Sequence, residues 1–278
     1  VSGRQSQKHD GVSAGLTYGA FGPQFQAPDC GTSIFDPVLC EVCYRWFCPE
    51  GGHIFDPFAG GSVRGIVAGF LGYRYTGIEL RPKQVEANKV QAESIAKVNP
   101  DLIMPRWVIG DSSKMRDHLE PADSGFDMIF TCPPYFDLEV YSDDPRDGST
   151  MHEYNEFIEW LTAIVKASVG RLAENRFAAV VIGEVRGKDG AYVNLVGDVT
   201  RAFIDAGMAY HNEAILITPA CTLPLRVTSQ FPRGRKLGKC HQNVLFFWKG
   251  DVRKIGDVLG PVPLPEAIDS KIQSGDVA

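Results

Sequence analysis

Cys132-Pro133-Pro134-Tyr135 sets a thiol, two residues without amide hydrogens and a phenol side by side. Consecutive prolines hold the backbone stiffly and cannot donate from the main chain. At a strand end they make a rigid ledge of outward-facing carbonyls with a ring beside it. A flat, nitrogen-bearing substrate would hydrogen-bond to those carbonyls while stacking on Tyr135. The bland alternative is a strand followed by a Pro-Pro stop. A second constellation, Asp56-Pro57-Phe58-Ala59-Gly60-Gly61-Ser62, joins an acid to a glycine turn. Gly60 and Gly61 allow torsions and close approach that side chains forbid. Ser62 is expected to cap the helix that follows. The turn is not G-x-G-x-x-G, and no Gly-Lys-Ser/Thr follows, which excludes a P-loop. Glu79 falls about 20 residues beyond the turn, a spacing that suits a carboxylate accepting from ribose hydroxyls. A third acid, Asp111, is followed by Ser112.

These residues need strands that end on them. Apolar runs ending at Asp56, Glu79, Asp111-Ser112 and Cys132 read as successive parallel strands, each followed by a turn or helix. Ligands of open α/β sheets bind outside the carboxyl ends of such strands. Each acid has an ordinary reading as a helix cap, but every stop falling on suitable chemistry points to a site. A helix opens at Pro37 and ends near Cys48-Pro49, and another, starting at Pro82, runs to about Val98. The helix after the glycine turn carries Ile66, Val67, Phe70 and Leu71 on one side. A helix over 151–173 has Phe157, Trp160, Leu161, Ile164 and Val165 at helical spacing, read as core. Residues 177–183 form the fifth strand. A helix over 195–206 stops at Gly207. The sixth (214–218) and seventh (243–248) strands are expected to pair antiparallel, with a basic, proline-interrupted loop at 219–242 and no helix between them.

The overall composition is that of a globular domain: 278 residues, 44% hydrophobic and 22% charged, enough for a substantial core. No apolar run reaches the roughly 20 residues that span a bilayer. Seven cysteines, an odd number, argue against a secreted disulfide framework and for a reducing, cytoplasmic setting. Cys30, Cys40, Cys43 and Cys48 invite a zinc reading, but Cys40 and Cys43 lie in the first helix, where thiols serve as core residues. The formal charge of -6 does not suit a protein that coats nucleic acid. Distribution matters more: 214–250 holds no Asp or Glu, yet carries Arg226, Arg233, Arg235, Lys236, Lys239 and Lys249. That is a local electrostatic footprint on an acidic body. Residues 1–30, rich in Gly, Ser, Gln and Pro, read as an arm whose Tyr18, Phe21 and Phe25 are expected to pack on the body. Residues 31–250 read as the main domain and 251–278 as a tail. Val1 to Gln5 offer neither an initiator Met nor an apolar signal core, so the chain is expected to be a piece of a longer one.

Asp56-Pro57-Phe58-Ala59-Gly60-Gly61-Ser62 followed by Cys132-Pro133-Pro134-Tyr135, with the Glu79 and Asp111 strand ends between them, resembles amino-group DNA methyltransferases. These use S-adenosyl-L-methionine to methylate adenine N6 or cytosine N4. The stretch from Gly234 to Gln242 resembles phage and bacterial members. The resemblance covers about residues 31–250 and implies an α/β fold, a class I methyltransferase-like Rossmann sheet of seven strands with the last antiparallel. It implies that the glycine turn (Asp56, Phe58, Ala59, Gly60, Gly61, Ser62) holds the methionine part of the cofactor. Glu79 would hold the ribose, and Asp111 with Ser112 the adenine edge. Phe35, in Thr32-Ser33-Ile34-Phe35-Asp36, would belong to the segment closing over the cofactor. Cys132, Pro133, Pro134 and Tyr135 would be catalytic, and Arg226, Arg233, Arg235, Lys236 and Lys239 would meet double-stranded DNA. The implied setting is a bacterial or phage-infected cell, with a restriction partner and a homodimer both left open. One departure stands out: the residue before Pro-Pro is usually Asp, Asn or Ser, and Cys132 is a weaker acceptor. A nucleophilic thiolate is the alternative role, although in cytosine C5 methylation the cysteine follows the prolines. RNA amines as substrate, a decayed nucleic-acid-binding subunit and a dinucleotide oxidoreductase are the competing readings.

Overall fold

A computed structural model describes residues 34–136, 141–218 and 223–261, without the Arg226 side chain. The chain divides into two units, Val1–Phe35 and Asp36–Ala278. Of the first, only Ile34 and Phe35 are described, so the expected arm lies outside the described residues, as does the tail beyond residue 261.

The second unit opens on a helix cap. Asp36 accepts from the amides of Val38 and Leu39 at 2.8 and 3.2 Å, and Pro37, whose missing donor is harmless there, starts α1 (Pro37–Phe47). Tyr44 of α1 is buried edge-on against Phe130, 5.2 Å between ring centroids, and Phe47 stacks on Phe246 at 4.1 Å. Cys40, Cys43 and Cys48 are buried, and burial pushes the Cys43 thiol up to about 12, so these thiols stay protonated. Among the described residues no group of three or more His, Cys, Asp or Glu is placed to hold a metal.

Then come β1 (His53–Asp56), α2 (Val63–Phe70), β2 (Arg74–Glu79), α3 (Pro82–Ala96), β3 (Arg106–Ile109), α4 (Met115–His118) and β4 (Phe126–Thr131). After them follow α5 (Tyr154–Arg171), β5 (Leu172–Ile182), α6 (Leu195–Asp205), β6 (Ala209–Ile217), α7 (Leu223–Gly234), β7 (His241–Lys249) and α8 (Ile255–Leu259). The seven strands form one sheet in the order β3-β2-β1-β4-β5-β7-β6. The first five are parallel, and β7 inserts antiparallel between β5 and β6. This is the expected class I methyltransferase-like sheet. The chain order reverses between β1 and β4, which makes the gap at their carboxyl ends the topological switch point. Alternation gives each face its cover: Phe130 meets Tyr44 of α1, while Ile129 joins the cluster built with Leu161 and Val165 of α5. No helix among the described residues is long and apolar enough to cross a membrane.

The structure adds one feature and corrects one expectation. The apolar side of α2 is not its buried side: Arg64, Gly65, Ala68 and Gly69 are buried, and Phe70 is 64% exposed. Small residues let the helix lie close to the sheet, and Ile66, Val67, Phe70 and Leu71 instead line a shallow cleft with Pro37 and Val38 of α1. The segment between β6 and β7 is not simply a loop, because α7 occupies Leu223–Gly234. Pro224 falls in its first turn, where proline is harmless, whereas Pro232 lies inside the helix near its end and removes one backbone bond without ending it.

Candidate functional site

Asp56 ends β1 wholly buried and ties the switch point together. One carboxylate oxygen accepts from the Phe58 amide (3.0 Å) and the Thr131 hydroxyl (2.7 Å), the other from Arg64 Nε (2.6 Å) and the Tyr75 hydroxyl (2.8 Å). Both oxygens are thus engaged by the protein itself, and Asp56 shapes the turn rather than offering itself to a ligand. Burial opposes the Arg64 charge, but the adjoining Asp56 carboxylate outweighs it and keeps the guanidinium ionised. Arg64 also donates Nη2 to the carbonyls of Phe58 (2.6 Å) and Ala59 (3.0 Å), which fixes the turn's path.

The glycine turn is held from β2 as well. Ala59 donates its amide to the Ile78 carbonyl at 2.9 Å, and Gly60, at a φ of +51°, donates to Glu79 Oε2 at 3.0 Å. Asn88 of α3 donates to the Gly60 carbonyl at 2.8 Å. The other Glu79 oxygen accepts from the Arg81 amide and Nε, each at 3.0 Å. A β-carbon on Gly61 would meet nothing within 4 Å, so the turn presents an open face. Ser62 stands at the cap position of α2, but its hydroxyl donates to Gln91 Oε1 at 2.5 Å and makes no cap bond, which corrects the capping expectation. Its own backbone is already helical, with φ and ψ of -75° and -18°, and this turns the hydroxyl away from the helix amides. At the end of β3, Asp111 Oδ1 accepts from the Ser113 amide and hydroxyl at 2.8 and 2.7 Å. The Ser112 hydroxyl donates to the Pro57 carbonyl, joining this strand end to the β1 turn.

The ledge follows β4 directly. Thr131, bonded to Asp56, precedes Cys132, so ledge and glycine turn share one buried carboxylate. Cys132 Sγ lies 3.8 Å from the Tyr135 hydroxyl. Burial first, and then Cys132, raise the Tyr135 phenol well above its ordinary range, so it remains a neutral hydroxyl at any working pH. The ring rests on the end of β5, where a β-carbon on Gly183 would come within 3.3 Å of it. The next residue, Phe136, is 5% exposed with a φ of +53°, a left-handed conformation that is strained for a bulky side chain. Its ring is pinned against Tyr154 and Phe157, with centroids 5.5 and 5.4 Å away. Core packing therefore holds the ledge in place.

The structure gathers Asp56, Phe58, Ala59, Gly60, Gly61, Ser62, Glu79, Asp111, Ser112 and Cys132 to Tyr135 at the carboxyl ends of β1 to β4. Phe35 belongs to the first unit and is described apart from them. The basic residues sit elsewhere. Arg226 and Arg233 lie on α7, and Arg235 follows it with its guanidinium 5.3 Å from the Phe231 ring. Lys239 turns back to Asn243 Oδ1 at 3.3 Å. Lys236 reaches another loop, closing on Gly190. Sequence reasoning missed Arg64, Asn88, Gly183 and Phe136. For Arg64 there was a signal, a lone cation on the first turn of an otherwise uncharged, apolar helix; for Gly183 the signal was a glycine closing an apolar strand.

No protein-family model and no curated protein sequence matches the chain. Its structure is similar to a TehB-like SAM-dependent methyltransferase from Corynebacterium glutamicum, with 16% identity, 79% of this chain and 90% of that one covered, and a TM-score of 0.46. It is similar to a methyltransferase from Pyrococcus furiosus (15% identity, 82% and 88% covered, TM-score 0.48). A third is the magnesium protoporphyrin IX methyltransferase of Synechocystis with bound SAM (11% identity, 77% and 76% covered, TM-score 0.45). The strand order and registers carry the assignment: the chain has the fold of the class I methyltransferases.

Proposed function

We propose that the protein is an S-adenosyl-L-methionine-dependent methyltransferase that acts on an exocyclic amine, adenine N6 or cytosine N4, of a base flipped out of double-stranded DNA. The observation that carries this reading is the joining of Cys132 to Tyr135 and the glycine turn across the switch point through Asp56. The turn suits the cofactor: Gly61 leaves an open face, and the acids of Glu79 and Asp111 end the neighbouring strands. When bound there, the cofactor supplies a methyl group on a positively charged sulfur.

The chain's own groups do the rest. An exocyclic amine is a poor nucleophile because its lone pair is delocalised into the ring. Hydrogen bonds from the amine to the Pro133 carbonyl, with help from Cys132, bias it towards a tetrahedral shape and expose the lone pair. Positioning in line supplies most of the rate. Tyr135 stacks on the base, and a neutral phenol on a buried ledge adds no charge to it. Arg226, Arg233, Arg235, Lys236 and Lys239 meet phosphates. Transfer of labelled methyl to duplex DNA, compared with structured RNA, tests the substrate; transfer to RNA alone overturns the reading.

Cys132 separates direct from covalent transfer. Cys132→Ser is expected to keep turnover within roughly tenfold, the effect of changing one hydrogen bond of about 1 kcal/mol. A thiolate nucleophile demands complete loss in the same initial-rate assay.

A further inference from the structure

Between β5 and α6 the chain makes a short hairpin that none of the chemistry above uses. The Val193 amide donates to the Val185 carbonyl at 3.1 Å, Gly187 to Ala191 at 2.9 Å, and Gly190 to Gly187 at 2.8 Å. Asp189 is spent on the tip, accepting from the Ala191 amide at 2.9 Å. The base is anchored: Val185 and Leu195 are buried, and Glu184 Oε1 accepts from the Val196 amide at 3.2 Å. Above that base, Arg186 lays its guanidinium 3.9 Å from the centroid of the Tyr192 ring and donates to the Gly190 carbonyl at 2.9 Å. Tyr192 nevertheless remains 46% exposed.

Two neighbours give this aromatic–guanidinium pair a direction. On one side the hairpin begins right after Gly183, the residue under the Tyr135 ring. On the other, Lys236 of the basic segment closes over the tip, so near that a β-carbon on Gly190 would lie 2.6 Å from its Nζ. Lys188 at the tip is exposed. The hairpin that carries the exposed Tyr192 and its stacked arginine is thus linked at its start to the residue under the Tyr135 ring and at its tip to the basic segment. An exposed tyrosine framed by cations is the chemistry that receives an unstacked base beside a phosphate backbone.

We propose that the Val185–Val193 hairpin is a base-stacking contact for an unpaired nucleotide next to the flipped one, with Tyr192 as the stacking surface and Arg186, Lys188 and Lys236 facing the backbone. This rests on the DNA-amine reading above. Opening a duplex to extrude one base leaves neighbours and the orphaned partner unstacked, and a ring held at that place offsets part of the lost stacking.

Fluorescence anisotropy with a labelled single-stranded oligonucleotide and with duplex DNA tests the assignment, with cofactor affinity by calorimetry as the control for folding. Tyr192→Ala is expected to bind the single strand about tenfold more weakly, while Tyr192→Phe binds like the parent. Arg186→Ala, which leaves the hairpin's backbone bonds in place, is expected to weaken binding too. Lys236→Gln is expected to lower the salt dependence by about one phosphate contact. Unchanged affinity in both Tyr192→Ala and Arg186→Ala, with a parent chain that binds DNA, overturns this inference and leaves the proposed function standing. A parent chain that binds cofactor but no nucleic acid overturns both.

Discussion

Replacing Asp56 by alanine is expected to destabilise the protein by on the order of 3–5 kcal/mol, the usual effect of removing one partner of a buried ion pair. Its carboxylate is fully buried and accepts from Phe58, Thr131, Arg64 and Tyr75, so four donors lose their acceptor at once. The loss at Arg64 is the largest, because that guanidinium is 5% exposed and the carboxylate is what offsets its burial. For a domain of this size the midpoint of thermal unfolding should fall by roughly 10 °C. Asp56→Asn, which keeps the shape but not the charge, should fall nearly as far. The donors come from the turn after β1 and from α2, β2 and β4, so the turn and the ledge should loosen together, and cofactor affinity should drop in calorimetry well below the unfolding temperature. Because Asp56 and Arg64 share one bond, a double variant with Arg64→Met should lose less than the sum of the single changes. A single Asp56→Ala variant with unaltered melting would contradict the role given to this carboxylate.

Tyr135→Ala is expected to lower methyl transfer by at least roughly 100-fold and to leave cofactor binding within error. The ring lies on Gly183 at the end of β5 and the turn lies on β1, so the change touches the proposed base platform without touching the glycine turn. Tyr135→Phe should keep most of the activity, since the hydroxyl is 3.8 Å from Cys132 and the stacking face is unchanged. Single-turnover rates separate the two: alanine should slow the chemical step, and phenylalanine should not. Equal turnover for Tyr135→Ala and the parent would sink the account of the ledge.

Much of this arrangement is legible in the amino-acid sequence. Continuous apolar runs mark the strands, and residue chemistry at their ends marks the candidate site, because a parallel sheet places every carboxyl end on one edge. What stays hidden has physical causes. The buried side of α2 carries glycine and alanine, whose closeness to the sheet no hydrophobicity pattern reveals. α7 is concealed by Pro224 and Pro232, the first harmless in the opening turn and the second tolerated inside the helix near its end. Ser62 is a capping residue type, yet its hydroxyl bonds to Gln91, 29 positions away in sequence. Asp56 reads as a ligand-facing acid and proves to be the internal tie of the switch point, because Tyr75 and Thr131 approach it only once the sheet is assembled.

The most direct test is the identity of the methylated base. Duplex DNA incubated with the purified protein and S-adenosyl-L-methionine carrying a deuterated methyl group, digested to nucleosides and analysed by mass spectrometry, should yield labelled N6-methyldeoxyadenosine or N4-methyldeoxycytidine. Labelled 5-methyldeoxycytidine, or a protein that binds the cofactor and leaves DNA unlabelled, would contradict transfer to an exocyclic amine.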